Sequence, residues 1–148
     1  MRAFFDPADG AAKVEIEING TTPNFTKRIT ALLDTGHSGS LSLSIFDLIE
    51  IGAKLSSFGP VVYANGQQSI AYYFSVNVTV DGDTKEVQAA MIESATFTEA
   101  IAGMQLFVPY VAFIDFKNKN INFIKEEELR KTYKAQIQKP PPPPLIPA

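Results

Sequence analysis

Short apolar segments with a period of two, each closed by turn-forming residues, leave this chain few options other than a small β structure. Val14, Ile16 and Ile18 alternate with Glu15, Glu17 and Asn19 ahead of Asn19-Gly20, the pattern of a strand with one face buried and one wet. Lys27 to Leu33 makes a second strand, and Leu41-Ser42-Leu43-Ser44 resumes the alternation. Val61-Val62-Tyr63 and Ser69 to Phe74 flank Ala64-Asn65-Gly66-Gln67; they read as a hairpin, because Asn-Gly tolerates the positive φ angles of a tight reversal. Phe74, Val76, Val78 and Val80 alternate up to Asp81-Gly82-Asp83, and Val87 to Ile92 returns. Val111 to Phe116 and Ile121 to Ile124 form a last hairpin about Lys117-Asn118-Lys119-Asn120. Ahead of Glu126, helical spacing is confined to Ile45, Leu48, Ile49 and Ile51, with Ser44 as N-cap, Asp47 in the first turn and Gly52 as the stop, and to one turn at Met104 to Val108 before Pro109. The class is all-β and barrel-like, with one or two short helices.

A chain of 148 residues has room for one small core plus tails. From Glu126 to Lys139 the character changes: Leu129, Tyr133 and Ile137 recur every four residues, and Pro140 to Pro144 ends any helix. Residues 1–125 are therefore read as the domain and 126–148 as a helical, then proline-rich tail. The proline run is extended polyproline II, suited either to a spacer or to a partner's aromatic groove. Net charge is −3 without a long basic run, which argues against nucleic acid as a partner. No stretch approaches the about 18 apolar residues of a membrane span, and Met1 to Pro7 lacks a signal peptide's apolar region, so a cytoplasmic location is expected. The sequons at Asn19, Asn24 and Asn77 are accordingly read as chance matches.

Chemistry concentrates at Ala31-Leu32-Leu33-Asp34-Thr35-Gly36-His37-Ser38-Gly39. An apolar strand running into Asp-Thr-Gly ends in a turn whose backbone N–H groups face the Asp34 carboxylate. A carboxylate so held, facing a second one close by, shares a proton with it and activates a water between them. Asp-Thr-Gly alone also fits a turn after any strand. The absence of cysteine excludes disulfides and a thiol nucleophile, and one histidine with no recognised oxygen-ligand spacing gives little support for a metal. No cofactor is expected. Asp81, Asp83, Asp47 and Glu126 to Glu128 read as turn and helix-start residues, and Asp115 as a solvent-facing residue at a strand edge.

The order of these features resembles the single-domain, retroviral-like (retropepsin-like) aspartic proteases, and more closely their small prokaryotic members. The matching pieces are Ala31 to Gly36, Leu41-Ser42-Leu43, the hairpin tipped by Ala64-Asn65-Gly66-Gln67 at the flap position, Ile101-Ala102-Gly103-Met104, and Ile114-Asp115-Phe116. The resemblance spans about Val14 to Ile124. It implies a small closed or partly open barrel of the acid-protease type and aspartic endopeptidase activity on peptide or protein substrates. Asp34 would be the catalytic carboxylate, Thr35 would brace the active-site loops across a dimer, and Gly36 would offer its N–H to Asp34. Gly103 would let the second apolar strand pass closely behind the loop, and Asn65, Gly66 and Gln67 would close over substrate. One Asp-Thr-Gly per chain implies a symmetric homodimer. The chain departs from the family at His37, where Ala, Ser or an aromatic is usual, at Ala102, and at a flap tip without several glycines.

Two further expectations stand beside this one. The same barrel without hydrolytic activity would be a binding or dimerisation module, with the proline tail docking a partner. His37, three residues after Asp34, either fills an aromatic-sized slot or lies near enough to the carboxylate pair for its charge to modulate activity.

Overall fold

The computed structural model describes residues 1–21, 25–62, 65–94 and 96–137, with side chains described through 134. Asn24, Tyr63, Ala64 and the proline run lie outside the described residues. In chain order the elements are β1 (Arg2–Phe5), β2 (Ala12–Asn19), β3 (Thr26–Asp34), β4 (Leu41–Ser44), α1 (Ile45–Glu50), β5 (Lys54–Val62) and β6 (Gln68–Val80). There follow β7 (Asp83–Ile92), β8 (Ala100–Gly103), a 3-10 turn at Met104–Phe107, β9 (Tyr110–Asp115), β10 (Asn120–Lys125) and α2 (Glu126–Ile137).

Six strands close a barrel in the order β2-β3-β8-β4-β7-β6, the last pairing back to β2 through Ile18 opposite Val78. Closure leaves the six without an unpaired edge. β1 lies outside β2 and β5 outside β6. The alternation in β2 and β6 has the expected consequence, since Val14, Ile16, Ile18, Val76, Val78 and Val80 are all buried in one core with Leu41, Leu43 and Ala102. Each such branched side chain is worth about 1.5–3 kcal/mol when fully buried. β9 and β10 form a separate hairpin; Phe123 stacks on the buried Phe107 with ring centres 4.8 Å apart. α2 packs against β10 near its start and leaves Tyr133 exposed. Among the described residues no helix is long and apolar enough to cross a membrane.

The structure revises several expectations. Ser69 to Phe74 and Phe74 to Val80 are not strands of two separate hairpins but one strand, β6, thirteen residues long. β5 begins at Lys54, well before Val61, and carries a bulge between Leu55 and Ser57 that hides any alternation; Pro60 is tolerated because β5 is an edge strand. All four residues of β4 are buried rather than alternate ones. Ser44 is satisfied as the α1 cap, accepting from Asp47 N–H at 3.1 Å and donating to Asp47 Oδ2 at 2.7 Å, and Ser42 lies against His37. Asp115 faces solvent as expected and accepts the N–H groups of Lys117 and Asn118 at 3.0 Å.

A charged clasp ties the loop after β1 to the segment entering β8. The buried Lys13 Nζ lies 2.9 Å from Asp6, 3.0 Å from Asp9 and 2.8 Å from Glu99. The Ala8 N–H holds the Asp6 carboxyl below its usual value, and the Ala11 N–H does the same for Asp9, with Lys13 adding to both. Carboxylates depressed in the folded state contribute stability that is complete above the unfolded value, near pH 4, and is lost as pH falls through the folded value. Lys13→Met should therefore be less stable than the parent to urea at pH 7, and the gap should narrow at about pH 3. A gap independent of pH would contradict the clasp.

Candidate active site

β3 carries Asp34 to the rim of the barrel, where it pairs in parallel with Gly103 of β8. Strand register fixes which way it faces, because residues paired across neighbouring strands share a face and the face alternates along each strand. One row runs Leu33, Ala102, Leu41, Ala89, Phe74 and packs into or against the core. The neighbouring row runs Leu32, Ile101, Ser42, Ala90, Tyr73 on the opposite face. Asp34, two residues beyond Leu32, belongs to that second face.

The turn after β3 is built on the Asp34 carboxylate. Gly36 N–H donates to Asp34 Oδ1 at 2.8 Å, and His37 N–H donates to the Asp34 carbonyl at 3.2 Å. Asp34 is half-buried, whereas Thr35 and Gly36 are exposed. The loop is then pinned from behind, Gly103 N–H donating to Ser40 O at 3.0 Å and Met104 N–H to His37 O at 3.2 Å. A Cβ on Gly103 would overlap the Gly39 carbonyl, the His37 ring and the His37 carbonyl, so β8 approaches this closely only because the residue is glycine. His37 is half-buried; its Nε2 shares a hydrogen bond with Ser42 Oγ at 3.3 Å. The ring thus fills the space between β4 and Gly103.

Beside the loop lies a cleft of about 550 Å³. Ile101, Ser42, Ala90 and Tyr73 of the second row line it, together with Val61 and Ala71 from the β5–β6 hairpin and the polar Gln88, Glu93 and Ser94. His37 and Ser38 bring it up to the Asp34 turn, but Asp34, Thr35 and Gly36 are not among the lining residues. Nor are Asn65, Gly66 and Gln67, which form the exposed hairpin tip. There Gly66 takes φ 81° and Asn65 Oδ1 accepts Gln67 N–H at 3.0 Å. The hairpin residues that line the cleft, Val61, Ala71 and Tyr73, read in the sequence as strand residues without a site role. Their period-two spacing is visible there, but which face it marks depends on the β6–β7 register. Neither the known protein-family models nor the curated proteins contain a match to the chain.

Overpacking in a well-filled site costs about 1–3 kcal/mol. Gly103→Ala should lower the unfolding free energy by at least about 2 kcal/mol, as two of its three clashes are with backbone. Removing the ring in a His37→Ala background should relieve only part of that loss. A Gly103→Ala protein as stable as the parent would show that β8 does not brace the Asp34 loop.

Proposed function

We propose that the chain is a homodimeric aspartic endopeptidase on a retropepsin-like barrel, hydrolysing peptide bonds with a water held between two Asp34 carboxylates, one per subunit. The observation that carries this reading is the Asp34 turn. The carboxylate stands at a strand end on the cleft face, one oxygen taking the Gly36 N–H, in a loop braced by Gly103. The neighbouring cleft, lined partly by a hairpin, suits an extended peptide, which would add strand-like backbone hydrogen bonds.

One chain supplies one such carboxylate, and its cleft stops at His37 and Ser38 without including Asp34. A two-fold copy would supply the second carboxylate and the other half of the cleft. The paired groups would hold one proton between them. The ionised member takes a proton from water as the oxygen attacks the scissile carbonyl, and the protonated member hydrogen-bonds the developing oxyanion. Collapse of the tetrahedral intermediate then passes a proton to the leaving nitrogen as the C–N bond breaks. Thr35, exposed beside Asp34, would meet its copy across the two-fold axis.

Cleavage of a mixed peptide library between about pH 3 and pH 7 tests this reading. The parent should cleave, and Asp34→Asn should lose about 10³-fold or more in kcat/KM while remaining folded. Identical cleavage by the two proteins would overturn it.

A further inference from the structure

The cleft has one charged side chain on its β6–β7 side. Glu93 follows β7 directly, is exposed, and has Ser69 Oγ of β6 as a long hydrogen-bond donor at 3.4 Å. The rest of that side is apolar or neutral: Tyr73, Ala71, Val61, Ile92, Gln88 and Ser94. Among the described residues no lysine or arginine lines the cleft, and His37 stands at the β4–β8 side against Ser42. Among the described residues, the ion pairs engage other carboxylates: Glu15, Glu17, Asp6, Asp9, Glu99, Asp47, Glu50, Asp81, Asp83, Glu126 and Glu127. Glu93 has no cationic partner among the described residues, as is also true of Asp34, Glu86, Asp115 and Glu128, and at the cleft only its hydroxyl neighbour hydrogen-bonds it.

We propose that Glu93 is a specificity-determining residue, selecting peptides in which a lysine or arginine side chain reaches the β6–β7 side of the cleft and pairs with its carboxylate. The inference rests on the peptide-binding reading of the same cleft. An aliphatic stem of Lys or Arg would lie along Tyr73, Ala71 and Val61 while its cationic head meets Glu93, so apolar contact and charge act on one side chain. An acidic side chain at that place would face Glu93 without a compensating cation.

The test uses the full chain carrying Asp34→Asn, so that binding is read apart from turnover. Fluorescently labelled ten-residue peptides carry Lys, norleucine or Glu scanned through each position, and affinity is measured by anisotropy at low and high salt. At one position Lys should bind about fivefold more tightly than norleucine at low salt, with Glu weaker than both, and the preference should shrink at high salt. Adding Glu93→Gln should abolish the preference and Glu93→Lys should reverse it, whereas Glu86→Gln, on β7 outside the cleft, should leave it unchanged. Equal affinities at every position, or a preference that survives Glu93→Gln, would overturn the inference. So would failure of every peptide to bind. A preference together with no cleavage by the parent would keep the role of Glu93 and remove the protease reading; cleavage without preference would do the opposite.

Discussion

The close passage of β8 behind the Asp34 loop sets the position of everything that gives this barrel chemical character. Gly103 pairs with Asp34 on one side and donates to Ser40 on the other, and the space its missing side chain leaves is occupied by the His37 ring and the Gly39 carbonyl. The loop is consequently held at both ends of its return path and through its middle. A turn fixed in this way keeps Gly36 N–H on the carboxylate at little further entropic cost, because its backbone freedom is already spent. His37 completes the brace by filling the gap to Ser42, which explains how a hydroxyl in β4 can be buried without loss.

From that fixed point the barrel supplies a packed floor and a hairpin less embedded in the core. β6 illustrates both: Val76, Val78 and Val80 sit in the core, while Tyr73, at the end of the β7 pairing, and Ala71, just beyond it, line the cleft. The outer face of this hairpin exposes Phe58 and Tyr72, rings paired with centres 6.4 Å apart. On the proposed protease reading, this hairpin would be the part that covers a bound peptide, while its core residues stay fixed. The reading as a protease depends on this division between a braced acid and a cover that is not part of the core.

The parts of this arrangement visible in the sequence are those written in local pattern. Alternation gave away β2 and the barrel half of β6, Ser44 and Asp47 announced α1, and the apolar run into Asp-Thr-Gly announced β3 and its turn. β1 was invisible because Arg2-Ala3-Phe4-Phe5 is short and not alternating, and its strand state comes from pairing with β2. The bulge, Gly59 and Pro60 obscured β5. Leu41-Ser42-Leu43-Ser44 looked half-exposed because neither the Asp47 cap nor the His37 cover of its serines is a property of that segment alone. The cleft was the least legible feature: Tyr73, Ala90, Ser42 and Ile101 become one surface only when the β6–β7 hairpin takes its register with β4 and β8.

Whether two Asp34 carboxylates act together is the central claim, and mixing subunits addresses it most directly. Parent and Asp34→Asn chains are combined at constant total concentration, unfolded and refolded together so that dimers form at random, and cleavage is measured across the series. Because only dimers with two parent subunits carry the full pair, activity should fall as the square of the parent fraction. A fall in simple proportion to that fraction would show that each chain works alone and would contradict the account.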